Sequence, residues 1–219
     1  TLLEKEIYPR IDSNTPFIII GRRGIGKSAV LRWAFDNFKG KKVLVSCKDA
    51  YGEIIKKIAF EQGVVIGKMK LGEIEKEIIR GEKMTLFIDD CEKITPKQAT
   101  FLISLNEIWT INLCGTDNFR EEIKRVLWGK QKIKIESIEK SSRPLLADEI
   151  IKATGTTVMR SLIINESRGV PGRAWAIARG EALIEDDDYV NGEEVNIAPI
   201  LFLIMVIIMI TRVMAMGLG

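Results

Sequence analysis

Lys27 and Ser28 close a glycine-rich octet, Gly21-Arg22-Arg23-Gly24-Ile25-Gly26-Lys27-Ser28, and Asp89 and Asp90 close an apolar run further along the chain. Each residue type has a definite use around a polyphosphate. A lysine ammonium meets β- and γ-phosphate oxygens, a serine hydroxyl completes the shell of a Mg²⁺ ion, and an aspartate holds that ion through water. A second carboxylate beside the first can orient or deprotonate an attacking water. The octet fits G-x-x-x-x-G-K-S/T, so the chemistry indicated is ATP bound together with Mg²⁺.

Such side chains work only when the backbone aims them, and the flanking sequence supplies the elements for that. Residues 17–20 are apolar and read as a buried strand running into Gly21, while residues 29–38 carry Val30, Leu31, Ala34, Phe35 and Phe38 at helical spacing. In a strand–loop–helix unit, Gly21, Gly24 and Gly26 let the loop curl so that successive amides face an anion. The start of the helix adds its positive dipole end. The phosphate-binding set is therefore Gly21, Gly24, Ile25, Gly26, Lys27, Ser28 and Ala29. Residues 84–90, M-T-L-F-I-D-D, form a second informative strand, a continuous apolar run ending in acid. That is the pattern of a central parallel strand whose C-terminal edge faces a ligand, with Asp89 on the metal and Asp90 on the water.

The remaining elements come in order along the chain. An amphipathic helix over residues 2–11, disturbed in its last turn by Pro9, leads to the first strand. A strand over 42–47, helices over 51–60 and 71–79, and a helix over 96–105 with Pro96 in its first turn frame the acidic strand. Residues 108–114 give a further strand. Thr116 sits at its tip, where a polar residue can touch the γ-phosphate or the lytic water, and it fits equally well as the cap of the next helix. Asn118 is the alternate, and Asn112 lies inside the strand. A helix over 119–128 carries Arg120, which reads as part of a solvated face. It also carries Arg125, placed near its end to reach a neighbouring subunit's nucleotide. A fifth strand covers 132–136. Beyond residue 142 no strand pattern recurs, and 145–153, 157–167 and 171–183 read as three short helices, with Arg173 in the first turn of the third.

Composition narrows the field. The chain has 219 residues, 46% of them hydrophobic, which suits one α/β domain with a small appendage. Thirty-three basic and 30 acidic residues leave a net charge of +3, too balanced to announce a nucleic-acid partner. The absence of histidine excludes imidazole catalysis and His-ligated metals. Cys47, Cys91 and Cys114 lack metal-ligand spacing, fall at or just past strand ends, and read as small buried hydrophobes in a reduced, cytosolic setting. Thr1 is not a start methionine, which suggests a fragment or processed product.

Residues 11–183 together resemble the AAA+ P-loop ATPases, and within them the archaeal initiator-like and STAND-like ATPases. The resemblance rests on G-R-R-G-I-G-K-S, L-F-I-D-D, the strand ending C-G-T, and N-E-S-R-G-V-P-G-R. It implies a three-layer α/β fold with a five-stranded parallel sheet of order 5-1-4-3-2, a helical lid, and ATP hydrolysis coupled to lid or subunit movement. It assigns Lys27 and Ser28 to phosphate and Mg²⁺, Asp89 to Mg²⁺, Asp90 to water activation, Thr116 to sensor 1 and Arg173 to sensor 2. Two departures stand out. Asp90 replaces the family's usual glutamate and is one methylene shorter, which implies slow or switch-like hydrolysis, and Gly172 is an extra residue before the sensor 2 arginine.

The expected organisation is a nucleotide-binding domain over 1–140, a helical lid over 141–184, an acidic linker over 185–196 and a membrane-anchoring helix over 197–218. Residues 197–210, I-A-P-I-L-F-L-I-M-V-I-I-M-I, hold no charged or polar side chain. That run is short of the ~20 residues that span a membrane, and counting through to residue 218 with Arg212 snorkelling reaches that length. Burial of the run by a partner or core is the competing reading. The leading function is a membrane-tethered ATPase with a cytoplasmic nucleotide domain that acts on a protein partner, as a homo-oligomer if Arg125 serves a neighbour. The alternatives are a DNA-associated initiator or transposition ATPase and a non-hydrolysing nucleotide switch.

Overall fold

Four residues of β1 (Phe17–Ile20) and the first four of β3 (Thr85–Asp89) are buried, whereas β2 (Lys42–Ser46) alternates between buried and half-buried positions and β5 (Gln131–Lys134) buries only Ile133. That contrast separates the inner strands from the edges of a sheet covered on both faces. In the computed structural model, which describes residues 2–181 apart from 118 and 120, five parallel strands run in the order β2-β3-β4-β1-β5, with β4 spanning Thr110–Gly115. This is the expected 5-1-4-3-2 order. The register sets Ile19 beside Cys114 and Ile133, and Ser46 beside Asp89.

Side chains alternate across the sheet, as the two-residue period of a strand requires. Phe17, Ile19 and Phe87 pack on one face with Leu31 and Ala34 of α2 (Lys27–Asn37) and with Ile11 of α1 (Tyr8–Asp12). Ile18, Ile20, Leu86 and Ile88 pack on the other with α3 (Tyr51–Gln62), α4 (Leu71–Arg80) and α5 (Pro96–Asn106). Phe87 meets Phe35 and Phe38 edge-on, with centroids 5.6 and 6.0 Å away. Asn112 is buried in β4, and its side-chain oxygen accepts the Phe17 amide at 3.1 Å, so it joins two strands far from their C-terminal tips.

Several elements depart from expectation, among them the last described helix, which ends at Ala178, five residues before the expected Leu183. The leading helix is a π-helix over Leu3–Ile7 that runs into α1, and Pro9, which has no N–H to bond back into the preceding turn, sits just past the junction. The helix expected over 119–128 shrinks to a 3₁₀ turn, Glu121–Ile123, and α6 (Lys124–Leu127). Among the described residues there, Ile123 and Val126 are fully buried, and Trp128 beyond them is 87% exposed. After β5 come α7 (Arg143–Thr154), α8 (Arg160–Ser167) and α9 (Pro171–Ala178), packed on one another, with α8 starting three residues later than its periodicity suggests.

Candidate functional site

The loop between β1 and α2 is shaped by glycine where glycine is needed. Gly24 and Gly26 have φ of +74° and +103°, a region costly for any side chain. A Cβ on Gly26 would meet nothing within 4 Å, so conformation and not crowding selects glycine there. Gly26 precedes the first turn of α2, and Val30 is the first residue to bond back, to the Gly26 carbonyl at 3.1 Å. The amides of Lys27, Ser28 and Ala29 thus lie at the open helix start, where an anion can take them. The Lys27 ammonium donates to the carbonyls of Gly21 (2.9 Å) and Arg22 (2.8 Å), and the Ile25 amide donates to Arg22 at 3.3 Å.

Beside this loop, the tips of β3 and β4 bring up the acids. Oδ1 of Asp89 accepts the Ser28 hydroxyl at 3.1 Å, the Asp90 amide at 2.8 Å and the Cys114 thiol at 2.7 Å. Burial, then the bond to Asp89, pushes the Cys114 thiol above its usual range, so it stays protonated and donates. Ser28 and Asp89 are hard oxygen donors within one metal shell of each other, the chemistry Mg²⁺ prefers. Among the described residues no group of three His, Cys, Asp or Glu could cage a metal.

Asp90 is turned aside. Its φ of +55° swings the carboxylate toward β2, where Oδ2 accepts the Ser46 hydroxyl at 3.0 Å and Oδ1 pairs with the Lys48 ammonium at 2.7 Å. That hydrogen bond, with Asp90, Asp89 and Glu92 adding attraction, holds the Lys48 pKa above its ordinary value. Thr116 follows β4, the strand between β1 and β3, and its amide donates to Glu92 Oε2 at 3.3 Å. The next helical turn begins only at Glu121, too far along for Thr116 to cap it. Arg173 lies in the first turn of α9, and the adjacent Gly172 amide donates to the Gly24 carbonyl at 2.8 Å.

The structure therefore gathers Lys27, Ser28, Asp89, Asp90 and Thr116 at one sheet edge and sets the start of α9 against the loop. Arg125 is exposed on α6. Asn118, Arg120 and the 197–210 run lie outside the described residues, within which no helix is long and apolar enough to cross a membrane. Sequence reasoning missed Ser46, Lys48, Glu92 and Cys114. The signal available for Ser46 and Lys48 was their place at the end of the strand preceding the acidic one, since parallel neighbours share an edge.

No protein-family model matches the chain, and no curated protein matches its sequence. Solved structures do match. The RuvB Holliday junction branch migration motor of Thermotoga maritima aligns with a TM-score of 0.54 at 14% identity, covering 81% of this chain and 58% of RuvB. Domain III of the Thermotoga maritima replication initiation protein DnaA gives 0.52 at 17% identity, covering 74% of this chain and 72% of that domain. A Walker-type ATPase of Pyrococcus abyssi gives 0.50 at 14% identity, covering 78% and 63%. The chain thus spans less than two thirds of the length of the RuvB structure, and the identities speak to architecture alone. With the strand order and the loop geometry, they give this chain the fold of the AAA+ P-loop ATPases.

Proposed function

We propose that the chain binds ATP with Mg²⁺ and hydrolyses it slowly, using nucleotide state to act on a partner. The observation that carries this reading is the bond between Ser28 and Asp89, which joins the glycine loop to the acidic strand at the mouth of the phosphate site. The amides of residues 24–29 and the Lys27 ammonium would hold the phosphates, and Ser28 and Asp89 would hold the ion. The ion they would hold would supply neutralisation of phosphate charge, leaving Ser28 and Asp89 to fix its place. Thr116 would meet the γ-phosphate or the lytic water, and Arg173 would reach in from α9, making α7–α9 a lid. Asp90 would orient the water once it leaves Lys48.

The tether rests on the apolar 197–210 run alone, and in this reading it keeps the nucleotide domain on the cytoplasmic side, where ATP is. Arg125 would complete a neighbour's site in a homo-oligomer. The pairing of Asp90 with Ser46 and Lys48 favours a second reading, a nucleotide switch that binds without turning over. The names of RuvB and DnaA favour a DNA-associated role, which salt-dependent DNA binding would support.

Phosphate release and nucleotide binding on two variants test the proposal. Lys27→Ala should abolish both turnover and tight ATP binding, while Asp90→Asn should keep ATP bound and lose turnover. Full turnover in both variants would overturn the assigned roles. Binding without turnover in the wild type, partner present, would select the switch.

A further inference from the structure

β4 ends at Gly115, and the last register pairs at its tip are Leu113 with Ile88 and Gly115 with Ile20. The Thr116 amide lies beyond both ladders, so its acceptor comes from elsewhere. Glu92 supplies it, with Oε2 3.3 Å from the Thr116 nitrogen. We propose that Glu92 is a positioning residue for turnover: by holding the Thr116 amide, it sets the Thr116 hydroxyl against the γ-phosphate. The inference rests on the reading of Thr116 as the residue that meets the γ-phosphate or the lytic water.

Glu92 stands on a support stiff enough for that task. It sits in the middle of the 3₁₀ turn Cys91–Lys93. The Lys93 amide closes this turn on the Asp90 carbonyl at 2.9 Å, and the Ile94 amide on the Cys91 carbonyl at 3.3 Å. Cys91 and Ile94 are fully buried on either side, which pins the turn to the core. Just beyond, Thr95 and Gln98 exchange the two hydrogen bonds of a capping box at the start of α5. Gln98 Nε2 also donates to the Asp49 carbonyl at 3.1 Å, tying that start to the chain after β2.

Gly115 makes room for the contact. A Cβ there would fall 3.0 Å from Glu92 Oε2, 2.9 Å from Phe119 Cε1 and 3.4 Å from Cys91 Cβ. A side chain at 115 would therefore push the carboxylate off the Thr116 amide or displace the Phe119 ring. Asp90 does not compete for that amide, since both its carboxylate oxygens are taken by Ser46 and Lys48. In this reading the three acids of the sheet edge divide the work, Asp89 for the ion, Asp90 for the water and Glu92 for the tip of β4. The effect belongs to turnover. ADP has no γ-phosphate, so a misplaced Thr116 costs it nothing, whereas a reacting γ-phosphate is sensitive to displacements of about 1 Å.

The test compares the full chain in detergent with Glu92→Ala, Glu92→Gln and Gly115→Ala, in phosphate release at saturating ATP and in ADP binding. Glu92→Ala should lower kcat about tenfold and leave ADP affinity within about twofold of wild type. Glu92→Gln keeps an acceptor oxygen at the same reach and should restore most of the turnover. Both variants remove the charge that Lys48 feels from Glu92, so the difference between them reports the acceptor alone. Gly115→Ala should slow turnover as Glu92→Ala does, and the double variant should be no slower than either. Wild-type turnover in Glu92→Ala, a matching loss of ADP affinity, or additive losses in the double variant would each overturn the inference. Equal losses in Glu92→Gln and Glu92→Ala would overturn it too, since the carboxylate would then act by its charge or by moving a proton. Should Glu92→Ala not fold, as judged by circular dichroism, Gly115→Ala decides, and wild-type turnover there overturns the inference. Thr116→Val separates this inference from the reading beneath it. Full turnover in Thr116→Val removes the roles of Thr116 and Glu92 together, whereas slow Thr116→Val beside full turnover in Glu92→Ala removes only that of Glu92. A wild-type chain that releases no phosphate removes the hydrolytic reading and this inference together.

Discussion

Asp90 shows how one backbone angle sets the chemistry available to a side chain. At φ +55° it leaves the direction of β3 and reaches Ser46 and Lys48 at the end of β2. The Lys48 side chain is 60% exposed and that of Asp90 18%, so solvent screens the pair and it is worth about 1 kcal/mol. A restraint of that size can be overcome by the charge of a bound nucleotide. If it holds Asp90 away from the water, removing it should raise turnover about fivefold. We therefore expect Lys48→Ala to hydrolyse ATP faster in a phosphate-release assay while its ATP affinity changes little. A slower variant would mean that Lys48 assists the reaction. The pH dependence has a definite sign. Because the Lys48 pKa is raised in the fold, the pair's contribution is complete below the ordinary lysine value and is lost only as pH climbs through the raised one. The restraint on Asp90 thus persists throughout the neutral range. Residues of this kind were hidden in the sequence. Lys27, Ser28 and Asp89 are legible because one contiguous motif and one apolar strand carry them. Ser46 and Lys48 reach Asp90 only through the parallel register of β2 on β3, which no local pattern encodes.

At the scale of elements, legibility tracked burial. β1 and β3 were readable because strands covered on both faces are unbroken apolar runs, and α3 and α4 because one face repeats at helical spacing. The 119–128 stretch was misread in length because, among its described residues, Ile123 and Val126 alone are fully buried, too few for periodicity to fix its bounds. The contacts that join elements were also out of reach, and Lys42 is an example. It opens β2, yet its ammonium donates to the carbonyls of Phe35 (2.6 Å), Asp36 (3.2 Å) and Phe38 (2.7 Å), closing the C-terminus of α2 and lying 4.7 Å from the Phe35 ring centroid. A cation at that end also meets the negative pole of the helix. The start of α2 carries the residues proposed to bind phosphate, and its far end is held by the first residue of the edge strand. Lys42→Met keeps most of the aliphatic stem and removes the donor. It should cost about 1–2 kcal/mol of stability. Urea unfolding would show this as a lower midpoint at unchanged slope, and an unchanged midpoint would mean that water replaces the ammonium on those carbonyls.

For the whole molecule, the question is whether the unit that carries the glycine loop depends on the residues that follow it. Contacts among residues close within a unit that runs from Thr1 to Ala182. The chain stops being helical there through local bonds. Gly180, at φ +70°, donates its amide to Ile177 at 3.0 Å, and the Glu181 amide reaches back to Ala176 at 3.0 Å. This pair of hydrogen bonds around a left-handed glycine is a Schellman closure, which satisfies the last carbonyls of α9 without help from later residues. Both core clusters draw their members from Ile7 to Ile133, and the buried residues of α7–α9 end at Ala178. A chain ending at Asp188 therefore keeps every one of these buried residues and the closing turn, and it drops the apolar 197–210 run, the only long uncharged stretch in the sequence. We expect that shortened chain to stay in solution without detergent and to melt within about 2 °C of the full chain in detergent. That tolerance is what a change below 1 kcal/mol produces at roughly this size. ATP with Mg²⁺ should raise its melting temperature as it does that of the full chain, since the ligand binds the folded form alone. Precipitation of the shortened chain, or a melting temperature many degrees lower, would mean that the apolar run completes the core and does not anchor it to a membrane.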